Sequence, residues 1–229
     1  MGNKDAKYAI IVAGGSGKRM GGLVPKQYQI IGDLPVLMHT LNRFHAYDEK
    51  MEILLVLPEK DFSFWRDLCL AHDFSVPHTL VKGGASRFGS VSNGLEGIAS
   101  TEGLVAIHDG VRPFVSLEVI HESYVEAAKR GSAVAAVSLK DSIREVFDDG
   151  HSSYRNRQQY RLVQTPQTFQ LAKIKAAFAV GERDFFTDDA TVYENQGWEV
   201  HLIPGNLENI KLTTPEDLVY ADFLLNKSR

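Results

Sequence analysis

The sequence predicts an α/β protein: a mostly parallel β-sheet with helices on both faces and a projecting β-hairpin arm. Three observations carry that prediction. Short apolar, β-branched runs recur along the chain and read as buried strands. Segments with apolar residues at helical spacing lie between them, which suits crossover connections between parallel strands. One stretch, residues 138–162, breaks the rhythm and alternates polar with apolar around Asp149-Gly150, a β-hairpin signal.

The elements follow in order. Tyr8–Val12 (YAIIV) is a buried strand that runs into a glycine loop. Pro35–Tyr47 has helical spacing, and Glu52–Leu57 (EILLVL) is a second strand closed by Pro58. Asp61–Ala71 reads as a helix and Thr79–Val81 as a short strand before Gly83-Gly84. A helix over Ser86–Ile98 precedes the strand Leu104–Ile107, which ends at His108-Asp109. Leu117–Arg130 is a helix stopped by Gly131, and Ala133–Val137 is strand-like. Past the arm come helices at Leu171–Val180 and Asp188–Asn195 and a strand at Glu199–Leu202. The last helix starts with Thr214 as N-cap and Pro215 at its first position. A polar hairpin has no face to bury on its own, so a second subunit is the simple partner for the arm.

The chain has 229 residues, 44% hydrophobic and 24% charged, which suits one domain over residues 1–229 with the arm at about 138–162. A net charge of −4 leaves no basic field for nucleic acid, so local clusters of cations stand out. The single cysteine, Cys69, forms no internal disulfide, which suits a reducing cytoplasm; its place on a helix face points to packing rather than reactivity. The first apolar run is too short for a signal or membrane segment, and Met1-Gly2 lacks the hydroxyl residue at position 6 that myristoylation needs.

The loop "AGGSGKRMGGLVPKQY" carries the first chemistry. Arg19 stands where a Walker loop needs Ser or Thr, and Met20 stands at the third glycine of a dinucleotide loop, so neither template fits. What remains is a strand, a tight glycine turn and three cations, Lys18, Arg19 and Lys26. Glycines let backbone N–H groups approach a polyphosphate, and nearby cations neutralise it. A plain β–α turn with solvated basic residues is the other reading.

This loop resembles the L-A-A-G-x-G-x-R-M…P-K-Q signature of sugar-nucleotide pyrophosphorylases and cytidylyltransferases. More narrowly, the chain is similar to the 2-C-methyl-D-erythritol 4-phosphate cytidylyltransferase family of isoprenoid biosynthesis. "VKGGASRFGSVSNGL", "VAIHDGVRPFV", "VQTPQTF", "FTDDATV" and "ENIKLTTPEDL" match that family's motifs in order over nearly the whole chain. The resemblance implies a Rossmann-like α/β fold, a homodimer through the arm, CTP as nucleotide and magnesium held mainly through its phosphates. It implies attack by a polyol-phosphate oxygen on the α-phosphorus of CTP, with pyrophosphate leaving. The nucleophile is already ionised, so positioning and positive charge carry the rate and no strong base is needed.

By that resemblance Arg19, Lys26, Arg157 and Lys211 are the catalytic cations, and Ala13, Gly14, Gly15, Gly84, Arg87, Ser90 and Asp109 hold the nucleotide. Asp109, Arg112, Ser142, Arg157, Thr165 and Lys211 face the substrate, with Ser142 and Arg157 reaching the partner's site. Bland readings stand beside several of these. Arg87 suits a structural role equally well, and Arg112 suits a loop-fixing salt bridge. His108 is better explained by packing than by base catalysis. Asp188 and Asp189 could mark a metal, but acids are favoured at a helix N-terminus; no protein metal ligand is assigned. Arg155 and Arg161 replace apolar residues of the family pattern, and Ala85 replaces an acid. The rival readings are a ribitol-5-phosphate cytidylyltransferase, which shares nearly all these motifs, and a nucleotide-binding scaffold that has kept the fold.

Overall fold

Alternation along the strands decides which side chain meets which layer. The computed structural model describes residues 5–15 and 24–227. Its elements are β1 (Lys7–Val12), β2 (Ile30–Ile31), β3 (Leu34–Pro35), α1 (Val36–Tyr47), β4 (Glu52–Leu57), α2 (Phe62–Ala71), β5 (Thr79–Lys82), α3 (Arg87–Glu96) and β6 (Leu104–Asp109). Then come α4 (Leu117–Arg130), β7 (Ser132–Ser138), β8 (Ile143–Val146), β9 (Ser152–Arg155), β10 (Arg161–Gln170), α5 (Leu171–Phe178), α6 (Asp189–Glu194), β11 (Leu202–Pro204) and α7 (Pro215–Lys227). Ala9 and Ile11 of β1 point into one core with Leu37, Leu41, Trp65 and Tyr124. Tyr8 and Ile10 point into a second core with Val91, Leu95, Ile174 and Tyr193. Thus α1, α2 and α4 cover one face, and α3, α5 and α6 the other. A strand buried on both faces has no polar side to offer, which is why these runs read as continuously apolar.

The main sheet has seven strands in the order β11-β7-β10-β6-β1-β4-β5. β1 pairs in parallel with both β4 and β6, β4 with β5, and β7 with β11. β10 is antiparallel to both of its neighbours, β6 and β7. The chain leaves β1 toward β4 and β5, then returns to place β6 on β1's other side. That makes the gap between β1 and β6 a switch point, where open α/β sheets bind ligands beyond the strands' C-terminal ends. A third small core, including Ile31, Val36, Phe114, Leu212 and Leu224, seats α7 over this end of the sheet.

The structure departs from the sequence reading at three places. β10 is a full strand between β6 and β7, although Pro166 argues against a central strand. The register slips between Val163 and Gln167, so the proline falls in an irregular stretch rather than in the ladder. The last strand forms over Leu202–Pro204, not Glu199–Leu202. The chain already runs beside β7 before that, but Ser132 Oγ donates to the Glu199 carbonyl at 3.1 Å and stands in for part of the ladder. The small β2–β3 pair has no periodicity long enough to read. The hairpin is as expected: β8 and β9 pair antiparallel, with Gly150 at φ 84° in the turn. Cys69 is half-buried against the first core, and burial pushes its thiol up, away from reactivity.

Where β10 loses register it builds the floor of the switch point. The Asp109 N–H donates to Thr165 Oγ1 at 3.1 Å, so a side-chain hydroxyl replaces a ladder carbonyl. Thr165 Oγ1 lies 3.0 Å from His108 Nδ1, and His108 Nε2 lies 3.1 Å from the Arg112 carbonyl. A carbonyl only accepts, so Nε2 carries the proton and Nδ1 accepts the threonine hydroxyl. The neutral ring is held by burial, which pushes its pKa down to about 4. This is the hydrogen-bonded, packed histidine expected, its ring tilted against Phe44 with centroids 4.9 Å apart.

Two outcomes follow for stability. The folded pKa of His108 lies below the unfolded one, so the unfolded chain takes up the proton first and stability falls as pH drops from about 6.5 toward 4. This residue accounts for about 2 kcal/mol of loss between pH 7 and 5, and urea unfolding of His108→Gln at both values will show that increment missing. Gly131 ends α4 at φ 95°, and an added Cβ would meet Lys173 Nζ at 2.9 Å and Tyr193 Oη at 3.0 Å. Gly131→Ala will cost at least about 1 kcal/mol in the same assay.

Candidate nucleotide and substrate site

The site collects what the strand ends deliver. Beyond β1 come Ala13, Gly14 and Gly15; beyond β5 come Gly83 and Gly84; β6 ends at Asp109. All of these except Gly83 border a cavity of about 410 Å³ that is also lined by Lys26, Arg87, Ser90 and Lys211. Gly84 must be glycine, because a Cβ there would lie 2.5 Å from the Gly89 backbone. That close approach lets the glycine turn fold onto the start of α3. Ser90 Oγ accepts the Gly84 N–H at 3.1 Å and donates to the Ser86 carbonyl at 2.8 Å, so its hydroxyl shapes the turn. Ser86 caps α3 by accepting the Gly89 N–H at 3.0 Å.

Asp109 is the electrostatic centre. Its Oδ2 meets Lys211 Nζ at 3.1 Å and Arg112 Nε at 3.1 Å; its Oδ1 faces Arg87 Nε at 3.9 Å. Burial alone would push this carboxyl up, but Lys211, Arg87 and Arg112 together hold it well below the usual carboxylate range. Arg112 is further tied to the Asn209 carbonyl at 2.8 Å, and Asn209 Nδ2 donates to the Thr165 carbonyl at 2.7 Å. Arg112 therefore takes the loop-fixing role set out above. Thr165 is buried behind Asp109 with its hydroxyl engaged on both sides, so it supports the site from below.

Arg87 lines the cavity while both of its Nη atoms go to Asp189, at 2.8 and 2.6 Å. Asp188 caps α6 by accepting the Thr191 N–H, and Thr191 returns the bond in a capping box. The acid pair thus splits into a helix cap and an ion-pair partner. Asn209 and Gln167 are the residues that motif reading passed over, and it weighed Asp189 only as a metal mark or a helix N-terminal acid, not as a partner of Arg87. Asn209 sits inside the quoted N-I-K segment, and Asp189 inside "FTDDATV", but nothing local in the sequence names their partners.

The structure does not bring every expected residue here. Ser142 and Arg157 are exposed on the arm, away from this cavity; Arg157 Nη1 donates to the Lys140 carbonyl. Arg19 and Lys18 lie outside the described residues. A larger cavity of about 890 Å³ lies at the base of the arm, beside Lys140, Arg161 and Leu202. None of the glycine-loop residues or Asp109 lines it, so its size does not make it the nucleotide site. Among the described residues no group of three His, Cys, Asp or Glu side chains is placed to hold a metal ion.

A nucleotide-sized crevice at a switch point, glycine turns on two sides and a cation-ringed carboxylate form an arrangement for gathering phosphates. The chain that builds it is similar to known proteins over nearly its full length. Residues 8–227 match the family model described as IspD, 2-C-methyl-D-erythritol 4-phosphate cytidylyltransferase. The protein of that name from Bacteroides fragilis is 48% identical over 217 residues, covering 95% of this chain and 98% of its own. The one from Porphyromonas gingivalis ATCC 33277 is 47% identical over 223 residues, covering 97% and 99%. Among solved structures, 4-diphosphocytidyl-2C-methyl-D-erythritol synthase from Anaerococcus prevotii superposes with a TM-score of 0.84 at 30% identity over 97% of each chain. The 2-C-methyl-D-erythritol 4-phosphate cytidylyltransferase of Thermus thermophilus does so at 0.73 and 28%, covering 97% of this chain and 99% of that one. With its Rossmann-like sheet, its motifs in order and a family match over nearly its full length, the chain belongs to the 2-C-methyl-D-erythritol 4-phosphate cytidylyltransferase family.

Proposed function

We propose that this protein is a nucleotidyltransferase that joins CTP and 2-C-methyl-D-erythritol 4-phosphate to give 4-diphosphocytidyl-2-C-methyl-D-erythritol and pyrophosphate, in non-mevalonate isoprenoid biosynthesis. The observation that carries this is the cavity in which Lys26, Lys211 and Asp109 converge on glycine turns from β1 and β5. A phosphate oxygen of the polyol phosphate bonds to the α-phosphorus of CTP. The bond from that phosphorus to the bridging oxygen breaks, and pyrophosphate leaves with the electron pair. No proton need be removed from the nucleophile, which fits a site whose histidine is neutral, buried and occupied by Thr165 and Arg112.

Roles follow from placement. Gly14, Gly15 and Gly84 bring backbone close to the nucleotide. Lys26 and Lys211 stabilise phosphate charge, joined by Arg19 from the same loop. Asp109 accepts hydroxyls of the polyol. Magnesium, when bound, neutralises phosphate charge. The carboxylate among the described lining residues, Asp109, already faces three cations, which fits a metal carried mainly on CTP phosphates and water.

The chain works as a homodimer through the arm. Val146 is 71%, Tyr154 68% and Leu162 55% exposed on or beside the hairpin, an apolar surface without a cover in one subunit. Ser142 and Arg157 then complete the partner's substrate site. Among the described residues no helix is long and apolar enough to cross a membrane; the single cysteine fits a cytoplasmic enzyme.

The deciding assay is pyrophosphate release with CTP and magnesium, comparing 2-C-methyl-D-erythritol 4-phosphate with D-ribitol 5-phosphate. Preference for the first is expected. Preference for the second would move the protein to polymer biosynthesis, and activity with neither would leave a nucleotide-binding scaffold. Lys26→Ala will reduce kcat by about 100-fold or more with the circular dichroism spectrum unchanged; a folded, fully active variant removes Lys26 from the mechanism.

A further inference from the structure

Arg87 stands between two carboxylates and is claimed by the one farther from the chemistry. Its Nη1 and Nη2 form a fork onto Asp189 at 2.8 and 2.6 Å, while its Nε stays 3.9 Å from Asp109 Oδ1. Asp109 has given its Oδ2 to Lys211 and Arg112, so Oδ1 is the oxygen left toward the cavity. A guanidinium carries five donors in a rigid fork that matches a carboxylate bidentately. Freed from Asp189, it has the reach and the attraction to close the remaining gap onto Oδ1.

Asp189 is built to prevent this. Its carboxylate is fully buried. It sits at the start of α6, which is tied to β10: Gln167 Nε2 donates to Asp188 Oδ2 at 2.9 Å, and Gln167 Oε1 accepts the Ala190 N–H at 2.8 Å. On the other side, Phe88, next to Arg87, stacks on Phe178 at 4.6 Å and on Phe186 at 5.9 Å, fixing the start of α3. Both backbones are held, and the guanidinium is the part able to turn. Burial raises the Asp189 carboxyl and the Arg87 guanidinium pulls it back, so each charge depends on the other.

We propose that Asp189 is a positioning residue of the active site: by holding both Nη atoms of Arg87, it keeps that guanidinium off Asp109 Oδ1 and leaves this oxygen to accept a hydroxyl of the polyol phosphate. Arg87 then serves as a bridge between α3 and α6, and its positive charge lowers the cost of the buried Asp109 without quenching it. The polyol half of this inference rests on the function proposed above; the placement of Arg87 does not.

The test uses the full chain carrying Asp189→Asn, with and without Arg87→Gln. With CTP saturating, kcat/KM for 2-C-methyl-D-erythritol 4-phosphate is expected to fall about tenfold or more in Asp189→Asn, and adding Arg87→Gln is expected to restore part of the loss. A merely structural ion pair predicts the reverse order: activity per folded molecule unchanged in the single variant, or the double variant the worse of the two. Either result overturns the proposal. If Asp189→Asn does not fold, Asp189→Glu keeps the charge pair but pushes the guanidinium toward Asp109. It should lose activity in the same direction, and full activity there counts against the proposal. A crystal structure of the unliganded variant reads the same point without catalysis. Arg87 within hydrogen-bond distance of Asp109 Oδ1 supports it, and Arg87 unmoved refutes it, even if wild-type protein turns over neither polyol phosphate.

Discussion

One carboxylate organises this end of the molecule. Asp109 meets Arg87 from α3, Arg112 from the turn after β6 and Lys211 from the approach to α7, three cations that the chain supplies from widely separated segments. Without an anion between them, charges this close in a partly buried crevice repel strongly, because little water is present to screen them. With Asp109 present, the same three become the frame on which the nucleotide turns and α7 are set. The carboxylate is itself held by geometry rather than by charge alone. Its backbone N–H is spent on Thr165, and Thr165 is fixed by His108 and by Asn209.

The charge distribution separates recruitment from repulsion. The chain as a whole carries −4, so a trianionic or tetra-anionic nucleotide meets no general attraction. Lys26 and Lys211 instead bring positive charge locally to the walls of one crevice. Local concentration of cations at the C-terminal ends of parallel strands, with glycine turns exposing N–H groups, makes the switch point the place where a polyphosphate finds both charge and donors.

Much of this was legible in the sequence, and the limits have a physical cause. Strands buried on both faces announce themselves as apolar runs, and Gly131 and Pro215 mark helix ends by local chemistry alone. Gly84, Ser90, Asp109, Lys26 and Lys211, which line the cavity, were legible because they stand in motifs that resemble a known family's. β10 was not found, because RLVQTPQTFQ has neither alternation nor an uninterrupted apolar run, and its proline sits where the register slips. The pairing of Arg87 with Asp189 joins positions 102 residues apart, and no local period encodes such a pair. The same holds for Asn209 and Thr165, 44 residues apart. Motifs gave the residue types at the site; only the fold says which of them face a ligand and which face each other.

That last division explains why the cations around Asp109 are not of one kind. Arg112 is deeply set, 13% exposed at its side chain, and its fork is committed to Asp109 and to the Asn209 carbonyl. Arg87 is likewise committed, to Asp189. Arginine suits these posts because its planar donors fix direction. Lys211 is 39% exposed at its side chain and meets the same Asp109 oxygen through one ammonium. An ammonium has three rotatable donors on a flexible stem, so contact with Asp109 need not exhaust it. The arginines therefore hold the frame, while the lysine at the rim is left with donors that Asp109 does not fix. Exchanging the two types would preserve every charge and lose the arrangement.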